Sequence, residues 1–280
     1  MNNCEKLNEV ADLLSTADAI IVGAGSGLSA AAGLTYSGPR FEELFSDFIS
    51  KYHFSDMYSA GFYPFDSLEE YWAYWSKHIF YNRYAPEAGE PYKNLLKILE
   101  GKNYFVLTTN VDHQFQKAGF DKERLFYTQG DYGLFQCSKA CHKKTYENES
   151  LINKMIAQQQ AFKIPHGLIP KCPKCGEPFA VNLRVDQYFV EDNGWLEAQN
   201  RYHSFLEKNK NKKILFIELG VGYNTPVIIK YPFWQMTYQN HEATYICVNQ
   251  EALVIPDEIQ AQTIHLQGDI KQTLEAIVDL

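Results

Sequence analysis

Short apolar runs recur along the chain, and most of them end in glycine or in small polar residues. Five of these runs are almost continuous in β-branched, aromatic and aliphatic residues, a composition typical of buried strands. They are AIIVGAGSG (19–27), NYFVLTTN (103–110), KKILFIELG (212–220), ATYICVN (243–249) and QTIHLQG (262–268). Helical patterns accompany them at residues 4–15, in PYKNLLKILEG (91–101) and in DIKQTLEAIVDL (269–280). Strands that alternate with helices predict an α/β fold with a doubly wound parallel sheet covered on both faces.

Residues 41–100 interrupt this alternation with helical patterns of a different composition. The stretch from 41 to 84 holds 16 of the 41 aromatic residues in the chain. Within it, SLEEYWAYWSKHIF begins with the capping-box pair Ser67 and Glu70, which predicts a helix start at that serine. Such a density of rings favours a small helical module with its own core. The alternative is that part of the module lines a groove for a ligand or a partner.

Four of the six cysteines form two close pairs, one in CSKAC and one in CPKCG. They are Cys137, Cys141, Cys172 and Cys175. A C-x3-C pair and a C-x2-C pair about 30 residues apart predict a tetrahedral Cys4 zinc site. Four thiolates leave no open coordination position, so the metal is expected to hold an insert together and to take no part in chemistry. The alternatives are a redox pair in CPKC, an unmetallated cluster, and His142 as a ligand in place of Cys141.

Composition and charge narrow the classes of function. The 280 residues carry 26 Lys and Arg against 34 Asp and Glu, a net charge of −8. An acidic chain of this kind argues against nucleic acid or an anionic membrane as the main partner. No apolar run approaches the roughly 18–20 residues that span a bilayer, and the N-terminal residues lack the basic and apolar regions of a signal peptide. We therefore expect a cytoplasmic protein.

Glycine and asparagine cluster where the predicted strands end, which is where parallel sheets bind their ligands. In VGAGSGLSAAAG (22–33), four glycines allow the backbone to approach a pyrophosphate closely. Many strand-to-helix turns use such glycines, so this pattern alone is a weak indication of a dinucleotide. No acidic residue ends a second strand about 20 residues further on, as the fingerprint of a dehydrogenase requires. An enzyme of hydride transfer is therefore disfavoured.

Two small polar residues, Asn110 and Asp112, end the second apolar run in TTNVDHQFQKAGF. Taken alone, they also fit an Asx turn that terminates a strand. Gln129 follows in YTQGDYG, and its amide can orient a hydroxyl but cannot accept its proton. The neighbouring His113 and Asp131 are candidates for acid–base work. If the strand continued, however, the His113 side chain would point away from that of Asp112, and a turn role in GDYG is the simpler interpretation of Asp131.

Strand and glycine loop, helical module, T-x-N-x-D strand end and four-cysteine insert follow one another in an order that resembles the sirtuin family. The resemblance covers nearly the whole chain. GSGLS (25–29) takes the place of the family's G-A-G-x-S, and TNVD (109–112) takes that of its Q-N-[IV]-D. GVGYNTP (220–226), VN (248–249) and GDI (268–270) correspond to its G-T-S loop, its dinucleotide-contacting asparagine and its C-terminal G-D.

The resemblance implies which residues contact NAD, the co-substrate of the family. Gly33 and Leu34 match the family's Gly-Ile, and NLRVDQYFVE (182–191) resembles its substrate strand with a degraded proline and Gly-Glu pattern. The implied catalytic residues are Asn110, Asp112 and Gln129. The implied NAD-contacting residues are Gly25, Ser26, Gly27, Ser29, Gly33, Leu34, Asn110, Asp112, Gln129, Gly220, Val221, Gly222, Asn249, Gly268 and Asp269.

Two departures from the family pattern indicate a subgroup. Thr35-Tyr36-Ser37-Gly38 stands where the family has P-D-F-R, and Gln129-Gly130 stands where it has its catalytic His-Gly. With GLTYSG and QGDYG, the chain is similar to the macrodomain-linked (class M) sirtuins of microbial pathogens, which are protein mono-ADP-ribosyltransferases. That similarity implies a lipoyl-carrying, glycine-cleavage-H-like protein as acceptor and a macrodomain hydrolase encoded nearby.

The chemistry of these residues agrees with transfer. Sirtuin reactions begin by breaking the bond between nicotinamide and C1′ of its ribose, and the resemblance assigns Asn110 and Asp112 to the nicotinamide end. Deacylation also needs a base for a ribose hydroxyl, and loss of a positioned base costs about 10²–10⁴-fold. Gln129 cannot serve as that base, so we expect transfer of ADP-ribose to a protein. An NAD-dependent lysine deacylase and an NAD-binding sensor without turnover are the alternatives.

The chain is therefore expected to have three parts. A Rossmann-like NAD-binding domain comprises residues 1–40, 101–136 and 181–280. The aromatic-rich helical module takes residues 41–100, and the Cys4 insert with its structural zinc takes residues 137–180.

Overall fold

The computed structural model describes residues 3–223, 226–251 and 254–280. Nine strands occur in these ranges. They are β1 (Ala19–Ala24), β2 (Tyr104–Thr108), β3 (Leu125–Tyr127), β4 (Gly130–Cys137), β5 (Tyr146–Glu147), β6 (Phe179–Leu183), β7 (Ile214–Leu219), β8 (Thr244–Asn249) and β9 (Thr263–Gln267). Six strands form a parallel sheet in the order β3-β2-β1-β7-β8-β9, and three form an antiparallel sheet in the order β5-β4-β6. The five strands predicted from apolar runs are all confirmed in the parallel sheet, and β3 joins them.

Twelve α-helices occur in the same ranges. They are α1 (Asn3–Thr16), α2 (Ser26–Ala31), α3 (Pro39–Leu44), α4 (Ser46–Tyr52), α5 (Met57–Ala60), α6 (Leu68–Ile79), α7 (Glu90–Ile98), α8 (Gln114–Lys117), α9 (Glu149–Gln158), α10 (Asn193–Asn209), α11 (Lys230–Gln239) and α12 (Ile270–Val278). Helix α6 begins at the predicted cap, where Ser67 Oγ accepts a hydrogen bond from the Glu70 amide. A π-helical turn over Phe80–Tyr84 follows α6. No helix in the described ranges has the length and apolar character needed to cross a bilayer.

Helices cover both faces of the parallel sheet, as the doubly wound prediction requires. Helices α1, α7 and α12 pack on one face, against a cluster that contains Ile20 and Val22 of β1. Helices α10 and α11 pack on the other face, against a cluster that contains Ile21 of β1 and Phe216 of β7. Successive strand residues point to opposite faces, so Ile20 and Ile21 are both buried although they belong to different clusters. This burial on two sides explains why the strands read as continuous apolar runs.

The order of the sheet reverses at β1, whose neighbours β2 and β7 lead the chain to opposite edges. Doubly wound sheets bind ligands in the crevice outside the carboxyl ends of their strands at such a point. The register places Ala24 of β1 opposite both Thr108 of β2 and Leu219 of β7. The segments that follow these residues therefore leave the sheet at the same edge.

The helical module and the antiparallel sheet pack together through aromatic rings. Trp72 of α6 shares one buried cluster with Phe135 of β4 and Val181 of β6, and the ring centroids of Trp72 and Phe135 lie 5.0 Å apart. The module thus has an aromatic core, to which the insert contributes. Strands β4 and β6 pair across the predicted domain limits at residues 136 and 181, so those limits stay a prediction.

Candidate functional site

Two glycine loops meet at the carboxyl edge of the sheet with no side chain between them. The Gly27 amide donates a hydrogen bond of 2.9 Å to the Gly220 carbonyl, and the Gly25 amide donates one of 3.0 Å to Leu219. A Cβ added to Gly25 would lie 2.7 Å from the Gly220 oxygen, and one added to Gly27 would lie 2.7 Å from the Gly220 Cα. Gly220 itself has a left-handed φ of 60°. These glycines are therefore required by the contact between the loops.

A buried series of hydrogen bonds joins the glycine loop to the predicted polar pair. Asn110 Nδ2 donates to the Gly25 carbonyl at 2.9 Å and to the Tyr92 hydroxyl at 3.2 Å. The Tyr92 hydroxyl lies 2.9 Å from Ser29 Oγ, and Ser29 Oγ donates to Asp112 Oδ2 at 2.5 Å. The structure thus brings together three residues that the sequence singles out, Ser29, Asn110 and Asp112.

Asp112 is a buried carboxyl group held by neutral donors. Besides Ser29, the amide of Gln114 donates to it, at 3.1 Å from Oδ1. Burial raises the pKa of Asp112, and the hydrogen bonds from Ser29 and Gln114 act in the opposite direction. In the part of the chain that the structure describes, no Lys, Arg or His forms an ion pair with it. An electron-rich, dry acceptor of this kind suits a neutral amide donor on a ligand.

Gln129 lies directly before β4 and beside the start of the predicted substrate strand. Its carbonyl accepts a hydrogen bond of 3.0 Å from the Arg184 amide. Its side-chain amide makes no hydrogen bond with other described residues. The guanidinium of Arg184 stacks on Phe189 and Trp195, with Cζ 4.5 and 5.3 Å from the two ring centroids. The amide of Gln129 is thus available to a ligand, next to a segment fixed by stacking.

The two titratable candidates beside the polar pair contact each other. His113 Nδ1 lies 2.6 Å from Asp131 Oδ2, and Asp131 Oδ1 accepts from Arg83 Nε at 2.8 Å and from the Gly133 amide at 2.7 Å. Burial raises the pKa of Asp131, but the hydrogen bond with His113 and the charge of Arg83 outweigh burial and hold that pKa below its usual value. Asp131 is therefore a buried carboxylate held by three partners. The turn expected in GDYG is wrong, because these residues begin strand β4.

The backbone at His113 differs from the alternation that a continued strand would impose. Strand β2 ends at Thr108, and His113 has a left-handed φ of 65°. The side chain of His113 consequently turns towards Asp131, whereas that of Asp112 turns towards Ser29. The strand does not continue to these residues, so a loop conformation, and not strand alternation, sends the two side chains in different directions.

Other residues predicted to contact NAD support the backbone of the same edge. Leu34 is buried, and the turn before it uses Gly33 at a left-handed φ of 87°. At the ends of β8 and β9, the Gly268 amide donates a hydrogen bond of 3.0 Å to the Asn249 carbonyl. The Asp269 carboxylate caps α12 by accepting from a backbone amide at 2.9 Å. Asp269 therefore has a structural task, whatever else it contacts.

In the two glycine loops, Ser26 at the start of α2 is exposed, and so are Gly222 and Tyr223 after β7. Val221 between the loops is buried. Residues 224 and 225 of the predicted GVGYNTP segment lie outside the described residues. Ser26, Gly222 and Tyr223 thus face solvent at this edge, whereas Val221 is enclosed.

The four predicted zinc ligands form one cluster at the far end of β4. Their sulfur atoms all lie within 4.8 Å of one another, with 3.5 Å between Cys137 and Cys175 and 3.6 Å between Cys141 and Cys172. A tetrahedral zinc with Zn–S bonds of about 2.3 Å sets its sulfurs about 3.8 Å apart, so the spacing fits that metal. His142 is not one of the four, although its Nδ1 lies 3.1 Å from Cys141 Sγ.

Tyr92 is a site residue that the sequence does not single out. In PYKNLLKILEG it shares an apolar stripe with Leu95 and Leu99, and all three are buried in one cluster. The pattern therefore predicts a core residue, and only the hydroxyl distinguishes it from a Phe at the same place. Another tyrosine, Tyr36, has its hydroxyl 2.6 Å from that of Tyr132. Its position in the departing segment Thr35–Gly38 is the one signal that the sequence offers.

Comparison with curated proteins finds two relatives, whereas no family model matches the chain. A protein ADP-ribosyltransferase of Staphylococcus aureus (strain Mu50) is 45% identical over 258 residues, which cover 92% of this chain and 82% of that protein. A probable bifunctional ADP-ribose hydrolase/ADP-ribosyltransferase of Fusarium oxysporum f. sp. cubense is 29% identical over 288 residues. The match covers 95% of this chain and 46% of that longer protein.

Among solved structures, sirtuins match over almost the full length. Sir2Tm bound to a propionylated peptide has a TM-score of 0.60 at 18% identity, with 98% of each chain covered. Sir2 with a p53 peptide and NAD+ has a TM-score of 0.59 at 20% identity, with 98% of this chain and 97% of that chain covered. At such identities the likeness establishes the fold alone.

The six-stranded parallel sheet, the second small sheet and the four-cysteine cluster thus define a protein of the sirtuin fold. The extent of its identity with the S. aureus protein places it more narrowly. The chain belongs to the sirtuin-fold family of protein ADP-ribosyltransferases.

Proposed function

We propose that this protein transfers ADP-ribose from NAD to an acceptor protein and releases nicotinamide. The observation that carries the proposal is the buried network of Ser29, Asn110 and Asp112 at the carboxyl edge of the sheet. The presence of a glutamine at 129, where deacylation needs a base, supports transfer over deacylation. The identity with the S. aureus transferase supports the same conclusion.

In the proposed reaction, the glycine loops and the polar residues have separate roles. The glycine loops after β1 and β7 would hold the dinucleotide, whose contribution when bound is a labile bond between C1′ of its ribose and nicotinamide. With NAD bound, Asp112 would accept a hydrogen bond from the carboxamide, Asn110 would contact the adjacent ribose, and Gln129 would orient a ribose hydroxyl. None of these tasks requires the side chain to gain or lose a proton.

The transfer of ADP-ribose to the acceptor balances in atoms and electrons without a base in the site. The C1′–N bond breaks with its electron pair on nicotinamide, and an atom of the acceptor bonds to C1′. A carboxylate acceptor, ionised at neutral pH, has no proton to lose, and any other acceptor releases its proton to water. Because Gln129 cannot take a proton from the ribose, the second stage of deacylation lacks its base.

The acceptor and the partner enzyme are a finer part of the proposal. The resemblance to class M sirtuins supports a lipoyl-carrying, glycine-cleavage-H-like protein as acceptor. The relative from Fusarium is named for both an ADP-ribose hydrolase and a transferase in one longer chain. That name supports the idea that a macrodomain hydrolase works together with this transferase.

The test is incubation with labelled NAD and a lipoylated carrier of this kind, with unlipoylated carrier in parallel. We expect label on the lipoylated carrier and free nicotinamide in equal amounts, and a loss of about 10²-fold or more for Asn110→Ala. Asn103→Ala is the matched control, because Asn103 precedes the same strand and, among the described residues, its side chain donates only to the Asp18 carbonyl.

Two outcomes would reject the proposal. Nicotinamide that appears only with an acyl-lysine peptide would indicate the deacylase. NAD-induced stabilisation with no nicotinamide from any acceptor would indicate the sensor. Label on the unlipoylated carrier alone would reject the finer proposal on the acceptor and leave transfer intact.

A further inference from the structure

The Tyr92 hydroxyl lies in the middle of the buried network, between two residues of the site. It is 2.9 Å from Ser29 Oγ and 3.2 Å from Asn110 Nδ2. The side chain is completely buried, and its ring packs edge-on against Phe115 with 4.9 Å between centroids. Its place on α7 is therefore fixed by packing, and its hydroxyl is held against the two polar groups.

The direction of each hydrogen bond follows from counting protons. Ser29 has one hydroxyl proton and donates it to Asp112, so Ser29 must accept from Tyr92. Tyr92 then has no proton left, and its oxygen must accept from Asn110 Nδ2. The network thus runs in one direction, from the amide of Asn110 through two hydroxyls to the carboxylate of Asp112.

The same count of protons fixes the orientation of the side-chain amide of Asn110. Its two N–H groups are both used, one on the Tyr92 oxygen and one on the Gly25 carbonyl. Its oxygen, Oδ1, accepts no hydrogen bond from any described residue, and it is not among the enclosed polar atoms that lack a partner. Asn110 therefore presents an acceptor, and not a donor, to the open cleft.

We propose that Tyr92 is a positioning residue that locks the amide of Asn110 with Oδ1 towards the cleft, ready to accept from a hydroxyl of the ribose. The inference rests on the proposed function, because that function puts a ribose beside Asn110. Without the Tyr92 oxygen, one N–H of Asn110 loses its buried partner. The amide is then free to rotate and to place a donor where the ribose also has a donor.

The main test is Tyr92→Phe, which keeps the ring and removes the hydroxyl. We expect the kcat of nicotinamide release to fall about tenfold to hundredfold, while the Kd of NAD changes by less than about threefold, since remote contacts dominate binding. Tyr245→Phe is the matched control. It removes an equally buried hydroxyl that donates to Glu218 at 2.7 Å, away from the 110–112 segment, and should leave kcat unchanged.

A coupling measurement separates positioning from general packing. Ser29→Ala removes the acceptor of the Tyr92 proton, so the kcat losses of Ser29→Ala and Tyr92→Phe should not multiply in the double variant. The side-chain amide protons of Asn110 give an independent readout by NMR. Both should exchange slowly with solvent in the wild type, and one should exchange quickly in Tyr92→Phe.

The possible failures are distinguishable. If the wild type releases no nicotinamide, the proposed function fails, and amide exchange still decides the role of Tyr92. If the wild type is active and Tyr92→Phe keeps its kcat and its protected amide, the inference is wrong. Losses that multiply fully in the double variant would show that the Tyr92 hydroxyl acts independently of Ser29 and would reject the ordered network.

Discussion

Gln129 stands at the edge of the site with its amide unpaired among the described residues. A histidine there would supply a group that titrates near neutral pH. We expect Gln129→His to raise nicotinamide release driven by an acyl-lysine peptide by about tenfold, a small part of what a well-placed base provides. Transfer to the carrier should fall, because the ribose is then oriented by a different group. Both rates can be measured by mass spectrometry of nicotinamide and carrier.

Gln116→His is the control for that gain. Gln116 lies in α8 and is half-buried like Gln129. The control therefore introduces the same side chain at a position of similar exposure. A rise of equal size in both variants would mean that position 129 has no special relation to the ribose.

Local motifs made much of the site predictable, whereas the residues that reach the site through long-range contacts could not be predicted. Asn110 and Asp112 are two residues apart just after an apolar run, so the sequence alone marks both, and they lie in the loop that follows β2. Tyr92 meets Ser29 across 63 residues of sequence and Asn110 across 18. No spacing rule connects residues so far apart, and the apolar stripe of α7 gives a sufficient reason for an aromatic side chain there.

At the scale of elements, Asp131 ties three of them together. It contacts His113 before α8, Arg83 in the π-helical turn and Gly133 within its own strand. Replacement by Asn keeps one acceptor and removes the charge that Arg83 faces. We expect Asp131→Asn to lower the free energy of unfolding by about 3 kcal/mol at pH 7, the usual effect of breaking a buried pair.

The pH dependence of that loss has a definite sign. The folded-state pKa of Asp131 lies below the unfolded value of 3.8. Its stabilising effect is therefore complete above that value and disappears as the pH falls through the folded pKa. Urea unfolding at pH 7, 5 and 3.5 should show a constant difference between wild type and variant at the first two values and a smaller one at the last. Asp47→Asn, which breaks a pair with Lys77 in which the carboxylate is exposed, should cost less than about 1 kcal/mol. A similar cost for Asp131→Asn would refute this role of Asp131.

Strands differed in how far the sequence revealed them. Five of the six strands of the parallel sheet are visible as apolar runs, because they are buried on both faces. Strand β3 has only three residues, too few for a pattern. Strand β4 begins in Gly130-Asp131, which looks like a turn, and its pairing with β6 contains an irregularity between Asp131 and Phe135. Its partner lies over 40 residues further on, so nothing local indicates the pair.

At the scale of the molecule, strand β4 connects the cysteine cluster to the carboxyl edge of the parallel sheet. Strand β4 runs from Gly130, beside Gln129, to Cys137 in the cluster. We expect removal of zinc by a strong chelator to lower the midpoint of thermal unfolding by about 5–10 °C. We expect a smaller effect on the affinity for NAD than on thermal stability, because the glycine loops follow strands of the other sheet.

A comparison of Cys172→Ala with Cys247→Ala distinguishes the effect of losing the metal from the effect of losing a buried thiol. Both residues are buried, but Cys247 lies in β8 and outside the cluster. Only the Cys172 variant should lose zinc, as measured by metal analysis, and show the lower midpoint. An unchanged midpoint after complete demetallation would mean that the insert is held by its aromatic core alone.

The backbone contact between Gly25–Gly27 and Gly220 limits how this protein can be re-engineered. A library that varies these glycines to accept an altered dinucleotide would mostly yield chains whose first and seventh strands can no longer come together at their ends. Diversity is better directed to Ser26 and Ala30, which are exposed. Selection for new coenzyme preferences should therefore recover changes at those two places and leave the glycines untouched.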